Sequence, residues 1–172
     1  MTLSTRAAGL LAALVAAAAL AVAHGSESLM GLVPCALCLV ERWPFRVALV
    51  LGLAAAFLPP RLARLVLGLL ALTMLAGAAV AATHVGVEFG WWPSPLPQCA
   101  APSLGSGGSI AERLARMPAL PAKPCDEPTY LVPGLPVSMA MMNLILSLLF
   151  AAAAACAALP RGSAAPASLE RV

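Results

Sequence analysis

Charged and histidine side chains are scarce in this sequence. Of its 172 residues only 10% are Asp, Glu, Lys or Arg, ten basic against seven acidic, and the net charge is +3. With no basic cluster to neutralise phosphates, nucleic acid is not an expected partner. Two histidines, His24 and His84, are too few for a histidine-rich metal site or for haem ligation. Polar exterior is missing as well. Apolar residues make up 62% of the chain and the mean hydropathy is +0.95, whereas a soluble domain must wet its own outside. These shortages exclude a water-soluble domain and imply an integral membrane protein.

The apolar residues are gathered into four stretches. The first, about 7–23, follows Arg6 and is long enough to span. It also imitates a secretory signal with Ala21-Val22-Ala23 as a cleavage site, but it is long for a signal core, and a retained helix is the expectation. The polar residues Gly25, Ser26, Glu27 and Ser28 then predict a linker over 24–33. The second helix should begin near Pro34 or Cys35, with Pro34 at an early helical position, span 37–58, and stop at Pro59-Pro60. Pro44 should bend it or loosen its first turns. The third and fourth spans are predicted at 65–83 and 137–159.

Arg6, Arg61, Arg64 and Arg161 all flank one side of such a four-helix bundle, which predicts cytoplasmic termini. The fold class expected is therefore an all-α, four-transmembrane-helix domain over 1–160, with loops 24–36 and 84–136 on the periplasmic face and a disordered cytoplasmic tail at 161–172. In the long loop, Trp91-Trp92 suits the headgroup level. Ser109-Ile110-Ala111-Glu112 matches a capping box, and Ile110, Leu114 and Met117 then share one face, predicting a short amphipathic helix over 110–117 on the membrane surface.

Five cysteines are many for a membrane protein that has no use for them. Cys35 and Cys38 form a Cys-x-x-Cys at the mouth of the second helix, where unpaired N–H groups and the helix dipole favour a thiolate. Arg42 shares their helical face and Glu41 adjoins it; both would be costly facing lipid. On spacing alone this is a redox pair, half of a zinc site, or packing. Cys99 and Cys125, 26 positions apart in a loop facing an oxidising compartment, are expected to pair. A structural staple would account for them but not for the Cys-x-x-Cys on the same face; two disulfides in exchange would account for both. Cys156 is read as packing within the fourth helix.

Pro-Cys-Ala-Leu-Cys-Leu-Val-Glu-Arg at 34–42, Trp-Pro-Ser-Pro at 92–95 ahead of Cys99, and Cys125-Asp126-Glu127 together resemble the DsbB family of bacterial inner-membrane disulfide-forming proteins. The resemblance covers the four-span layout and both cysteine pairs. It implies that a reduced, DsbA-like periplasmic oxidase with a thioredoxin fold attacks a Cys99–Cys125 disulfide at Cys99. Electrons would pass to Cys35–Cys38, and a Cys38 thiolate would meet a membrane quinone, ubiquinone or menaquinone. Arg42 matches the family arginine beside the quinone ring, and Glu41 matches a supporting position. The sequence departs from the family at Pro44 and Arg46, where a plainer apolar stretch is expected near the quinone pocket, and in a loop between Cys99 and Cys125 rich in Gly, Ser and Ala. Two other readings remain: a vitamin K epoxide reductase type of quinone-linked thiol oxidoreductase, whose Cys-x-x-Cys falls in a late helix, and a membrane metal-binding protein using four thiolates.

Overall fold

The computed structural model describes residues 4–99, 109, 111–112, 123–132 and 134–160. Four long helices account for most of them: α1 Thr5–Met30, α2 Ala36–Phe57, α3 Pro60–Glu88 and α4 Met139–Ala158, with a single 3₁₀ turn at Pro97–Cys99. No strand occurs among the described residues. Helices α1, α3 and α4 are long and apolar enough to cross a membrane. Helix α2, of 22 residues, is set apart by three charged side chains, Glu41, Arg42 and Arg46, within its first half.

Helices α1 and α3 run past the predicted spans 7–23 and 65–83 at both ends, α2 lies within one residue of 37–58, and α4 is slightly shorter than 137–159. Two sequence expectations fail for identifiable reasons. The stretch 24–30, read as linker, is the last two turns of α1. Its serines turn their hydroxyls back onto the helix, Ser26 Oγ to the Ala23 carbonyl at 2.9 Å and Ser28 Oγ to that of His24 at 3.0 Å. Such bonds let short polar side chains stay helical. The helix ends one residue later at Gly31, whose φ of 67° suits a left-handed cap. Pro59-Pro60 does stop α2, but Pro60 already occupies the first position of α3, where its lack of an N–H costs nothing. Arg61 and Arg64 therefore belong to the first turns of α3 rather than to a separate connection.

Packing depends on small residues. A Cβ at Gly9 of α1 would lie 2.7 Å from the Ala56 nitrogen, and one at Gly52 of α2 would lie 2.7 Å from the Ala13 nitrogen. The two backbones are thus in direct contact, as small residues permit between helices in an apolar solvent. Pro44 does not interrupt α2. It packs onto Gly77 of α3, where an added Cβ would meet Pro44 Cβ at 2.9 Å. Ala16, Ala48, Leu70, Met74 and Phe150 join all four helices in the central core. At the end that carries Arg6, the Arg6 Nε donates to the Ala56 carbonyl at 3.1 Å, tying the start of α1 to the end of α2.

The opposite end holds Cys35, Cys38, Cys99 and Cys125. Beyond α3 the chain folds back: Trp92 Nε1 donates to the Thr83 carbonyl at 3.0 Å, and the indole lies where a Cβ at Gly86 would stand, 2.0 Å from Trp92 Cζ2. Trp91 stays exposed and stacks on Phe89 at 5.3 Å. The expected capping box is present, with the Ser109 amide donating to Glu112 Oε2 at 3.0 Å and the Glu112 amide donating to Ser109 Oγ at 3.3 Å. The rest of the amphipathic helix expected over 110–117, and the tail expected over 161–172, lie outside the described residues.

Candidate active site

Cys35 caps α2. Its backbone is extended, at φ −79° and ψ 169°, and its Sγ accepts from the Cys38 amide at 3.2 Å. Sulfur is a weak acceptor, so this is a poor cap for a neutral thiol and a good one for a thiolate at a helix N-terminus. Pro34 precedes the cap instead of opening the helix. The Cys38 Sγ stands 2.7 Å from that of Cys35. Hydrogen bonding from Cys38 holds the Cys35 thiol below the ordinary thiol range, against the opposing effect of burial.

Cys99 and Cys125 are joined, with Cα atoms 5.0 Å apart, as the sequence led one to expect. Their positions come from short local anchors. Cys99 ends the 3₁₀ turn, and its amide donates to the Leu96 carbonyl at 3.1 Å. After Cys125 the chain is pinned by Lys123 Nζ on Thr129 Oγ1 at 2.6 Å, by the Met139 amide on the Thr129 carbonyl at 2.8 Å, and by Ser138 Oγ on Glu88 Oε2 at 2.5 Å. The result is that Cys35, Leu37, Val87, Cys99 and Cys125 form one buried cluster, with Cys38 at its margin. Both cysteine pairs are thus brought together. Cys156 is not among them: it is exposed on α4 rather than packed in the bundle.

Beneath the cap lies a polar chain that the sequence reading did not find. His84 of α3 sets Nε2 3.5 Å from Cys35 Sγ and Nδ1 2.7 Å from Glu41 Oε1. Asn143 of α4 donates Nδ2 to Glu41 Oε2 at 2.6 Å, and its Oδ1 accepts from Ser147 Oγ at 3.3 Å. Both His84 and Glu41 are buried. The available signal was Glu41 itself, since a buried carboxylate must find hydrogen-bond partners and few polar side chains occur in these helices. Arg42 is also buried and forms an ion pair with Glu27 of α1, while its Nη1 lies 3.5 Å from His24 Nδ1. Glu27 and His24 reach it because α1 continues through residues 24–30.

A cavity of about 490 Å³ opens beside this group, between α1, α2 and α4. Its walls are largely aliphatic, and Cys38, Glu41, Arg42, Phe45 and Asn143 line one part of it. Of the four cysteines in the two pairs, Cys38 alone lines it.

The family model for disulfide bond formation protein DsbB matches residues 5–157. The chain belongs to the DsbB family. A stretch of 71 residues is 38% identical to Disulfide bond formation protein B of Azoarcus sp. (strain BH72), covering 40% of this chain and 42% of that protein. No solved structure gives a significant match.

Within this DsbB-family chain, the two local departures lie away from the cavity. Pro44 faces Gly77, and the Arg46 guanidinium lies over the Trp43 ring, 5.1 Å from its centroid, on the exposed side of α2. The cavity fits a quinone-sized apolar ring. Its volume is in the ordinary range for small-molecule sites, it is mostly apolar, and it offers one guanidinium. A metal ion fits less well. The ligand atoms of Cys35, Cys38 and His84 lie within 4.8 Å of one another, but the two sulfurs are 2.7 Å apart. Two thiolates at tetrahedral zinc, each bonded at about 2.3 Å, would be roughly 3.8 Å apart. That spacing favours sulfur–sulfur chemistry.

Proposed function

We propose that this protein is a thiol–quinone oxidoreductase of the bacterial inner membrane that reoxidises a periplasmic DsbA-like dithiol oxidase and so supports disulfide bond formation. The observation that carries this reading is the single buried cluster holding both cysteine pairs, with Cys38 alone reaching the cavity lined by Arg42. In it α2 is the fourth span, its Glu41 and Arg42 turned inward and engaged by α1, α3 and α4. Arg6, Arg61 and Arg64 stand at the end remote from the two cysteine pairs, which by the positive-inside rule supports a periplasmic face for both pairs.

The steps follow from the order of the sulfurs. A donor thiolate attacks Cys99 and forms a mixed disulfide, releasing Cys125 as a thiolate. Cys125 lies in the same buried cluster as Cys35, and exchange with Cys35 leaves Cys38 as the thiolate, facing the cavity. A quinone, ubiquinone or menaquinone, would be held there by Arg42, Phe45 and the aliphatic wall and would serve as the two-electron acceptor. Arg42 stabilises negative charge that develops in the cavity, an effect strengthened where water is excluded. Glu41 plays a supporting part, since both of its oxygens are already taken.

The test is quinone reduction by the purified protein, followed optically with a reduced DsbA-like donor. Wild type should turn over, and Cys38→Ser should retain less than about a thousandth of its rate, as when an enzyme loses its nucleophile. Absence of turnover with both ubiquinone and menaquinone would falsify the assignment.

A further inference from the structure

We propose that His84 is the general base for the Cys35 thiol, and that Glu41 and Asn143 are positioning residues that aim it. The proposal rests on the thiol–disulfide reading of Cys35–Cys38 given above. Three helices each contribute one member of the chain: His84 from α3, Glu41 from α2 and Asn143 from α4. Each contact fixes the next. Ser147 Oγ donates to Asn143 Oδ1, which turns the Asn143 amide so that its Nδ2 faces Glu41 Oε2. The remaining carboxylate oxygen, Oε1, accepts from His84 Nδ1–H at 2.7 Å. That bond selects the tautomer whose Nε2 carries a lone pair, and Nε2 points at Cys35 Sγ from 3.5 Å. A carboxylate behind an imidazole that faces a thiol is the arrangement by which sulfur nucleophiles are activated.

The chemistry needs such a base. When Cys35–Cys38 is remade, a Cys35 thiol and a Cys38 thiolate become a disulfide, one proton and two electrons. The Cys35 S–H bond breaks and its proton passes to His84 Nε2. The sulfur–sulfur bond forms, and the electron pair leaves by way of Cys38 to the quinone-class acceptor. Glu41 offsets the imidazolium charge until His84 releases the proton. Removal of a well-placed base slows such a step by on the order of 100-fold.

The groups facing His84 are Cys35, Cys38 and Glu41 from α2, the neutral Asn143 from α4, and Glu88 one turn along α3. Glu88 is itself held by Ser138 and lies near Lys123. Helix α1 presents Glu27 and His24, which are engaged with Arg42. Without His84, Cys35 would face the Glu41 carboxylate with no cation between them.

The experiment uses the full chain in detergent micelles, free of quinone, carrying Cys38→Ser. Alkylation of Cys35 by iodoacetamide is followed by mass spectrometry of the Cys35 peptide between about pH 5 and 9. Adding His84→Gln should move the alkylation midpoint upward and slow the reaction near neutrality by about tenfold, because less thiolate is present. Asn143→Ala, which touches neither sulfur, should move the midpoint in the same direction by a smaller amount. An unchanged profile in His84→Gln, or in Asn143→Ala should the first variant fail to fold, overturns the assignment. The readout contains no quinone, so it separates this proposal from the identity of the acceptor.

Discussion

The two cysteine pairs are built differently, and the difference matches the work that the proposed relay gives each. Cys35 and Cys38 are three residues apart at the start of α2, with a helix N-terminus, a histidine–carboxylate chain and a cavity within reach. Cys99 and Cys125 are 26 residues apart and meet only because a 3₁₀ turn and a clamped return segment deliver them to the same apolar patch. The first pair has acid–base groups around it; the second is packed against Leu37, Val87 and Leu96. One arrangement suits chemistry that moves protons, and the other suits handing a disulfide from an outside donor to an inside acceptor.

The sharpest break in that comparison is to remove the loop pair alone. Cys99→Ala with Cys125→Ala should abolish oxidation of the protein donor. It should leave quinone reduction by a small dithiol such as dithiothreitol, which can reach Cys35–Cys38 directly. Loss of both activities would mean that the loop pair also shapes the α2 mouth; retention of both would remove it from the relay. A smaller effect is expected at Arg42. Arg42→Ala deletes a charge-assisted contact in the cavity and should raise the quinone KM by about 10–100-fold, the loss of one hydrogen bond to a charged group. The Cys35–Cys38 pair should still exchange with Cys99–Cys125, as seen by trapping the mixed disulfide after acid quench.

Much of this layout was legible in the residues. Long apolar stretches and Pro59-Pro60 marked the helices, and the Cys-x-x-Cys beside Glu41 and Arg42 marked the site. Two lone cysteines in a proline-rich loop marked the second pair. What was not legible depends on distant contacts. Gly25, Ser26 and Ser28 read as linker because such residues favour turns, yet here the serine hydroxyls bond back into α1. That extension brings Glu27 to Arg42, 15 residues further along the chain. His84 gave no periodic or spacing signal, because its partner Glu41 lies 43 positions earlier and Asn143 lies 102 positions beyond Glu41. Local pattern finds the ends of helices; only the assembled bundle shows which polar side chains meet inside it.

The smallest effect sharpens the comparison from the outside of α2. Arg42 and Arg46 are one helical turn apart in sequence, yet the first is buried against Glu27 and the second is exposed over Trp43. Arg46 departs from the plainer apolar stretch expected near the quinone pocket, but it is not among the residues lining the cavity, and its guanidinium lies over Trp43 on the exposed side of α2. Its stem and head together suit the interface, with the charge kept toward water and held on an indole face. Arg46→Ala should therefore leave the quinone KM within about twofold of wild type. Its cost should appear instead as a loss of thermal stability of about 0.5–1 kcal/mol, the size of an exposed cation–π contact. A KM shift as large as that of Arg42→Ala would mean that the outer face of α2 also contacts the acceptor, and would remove the distinction between the two arginines.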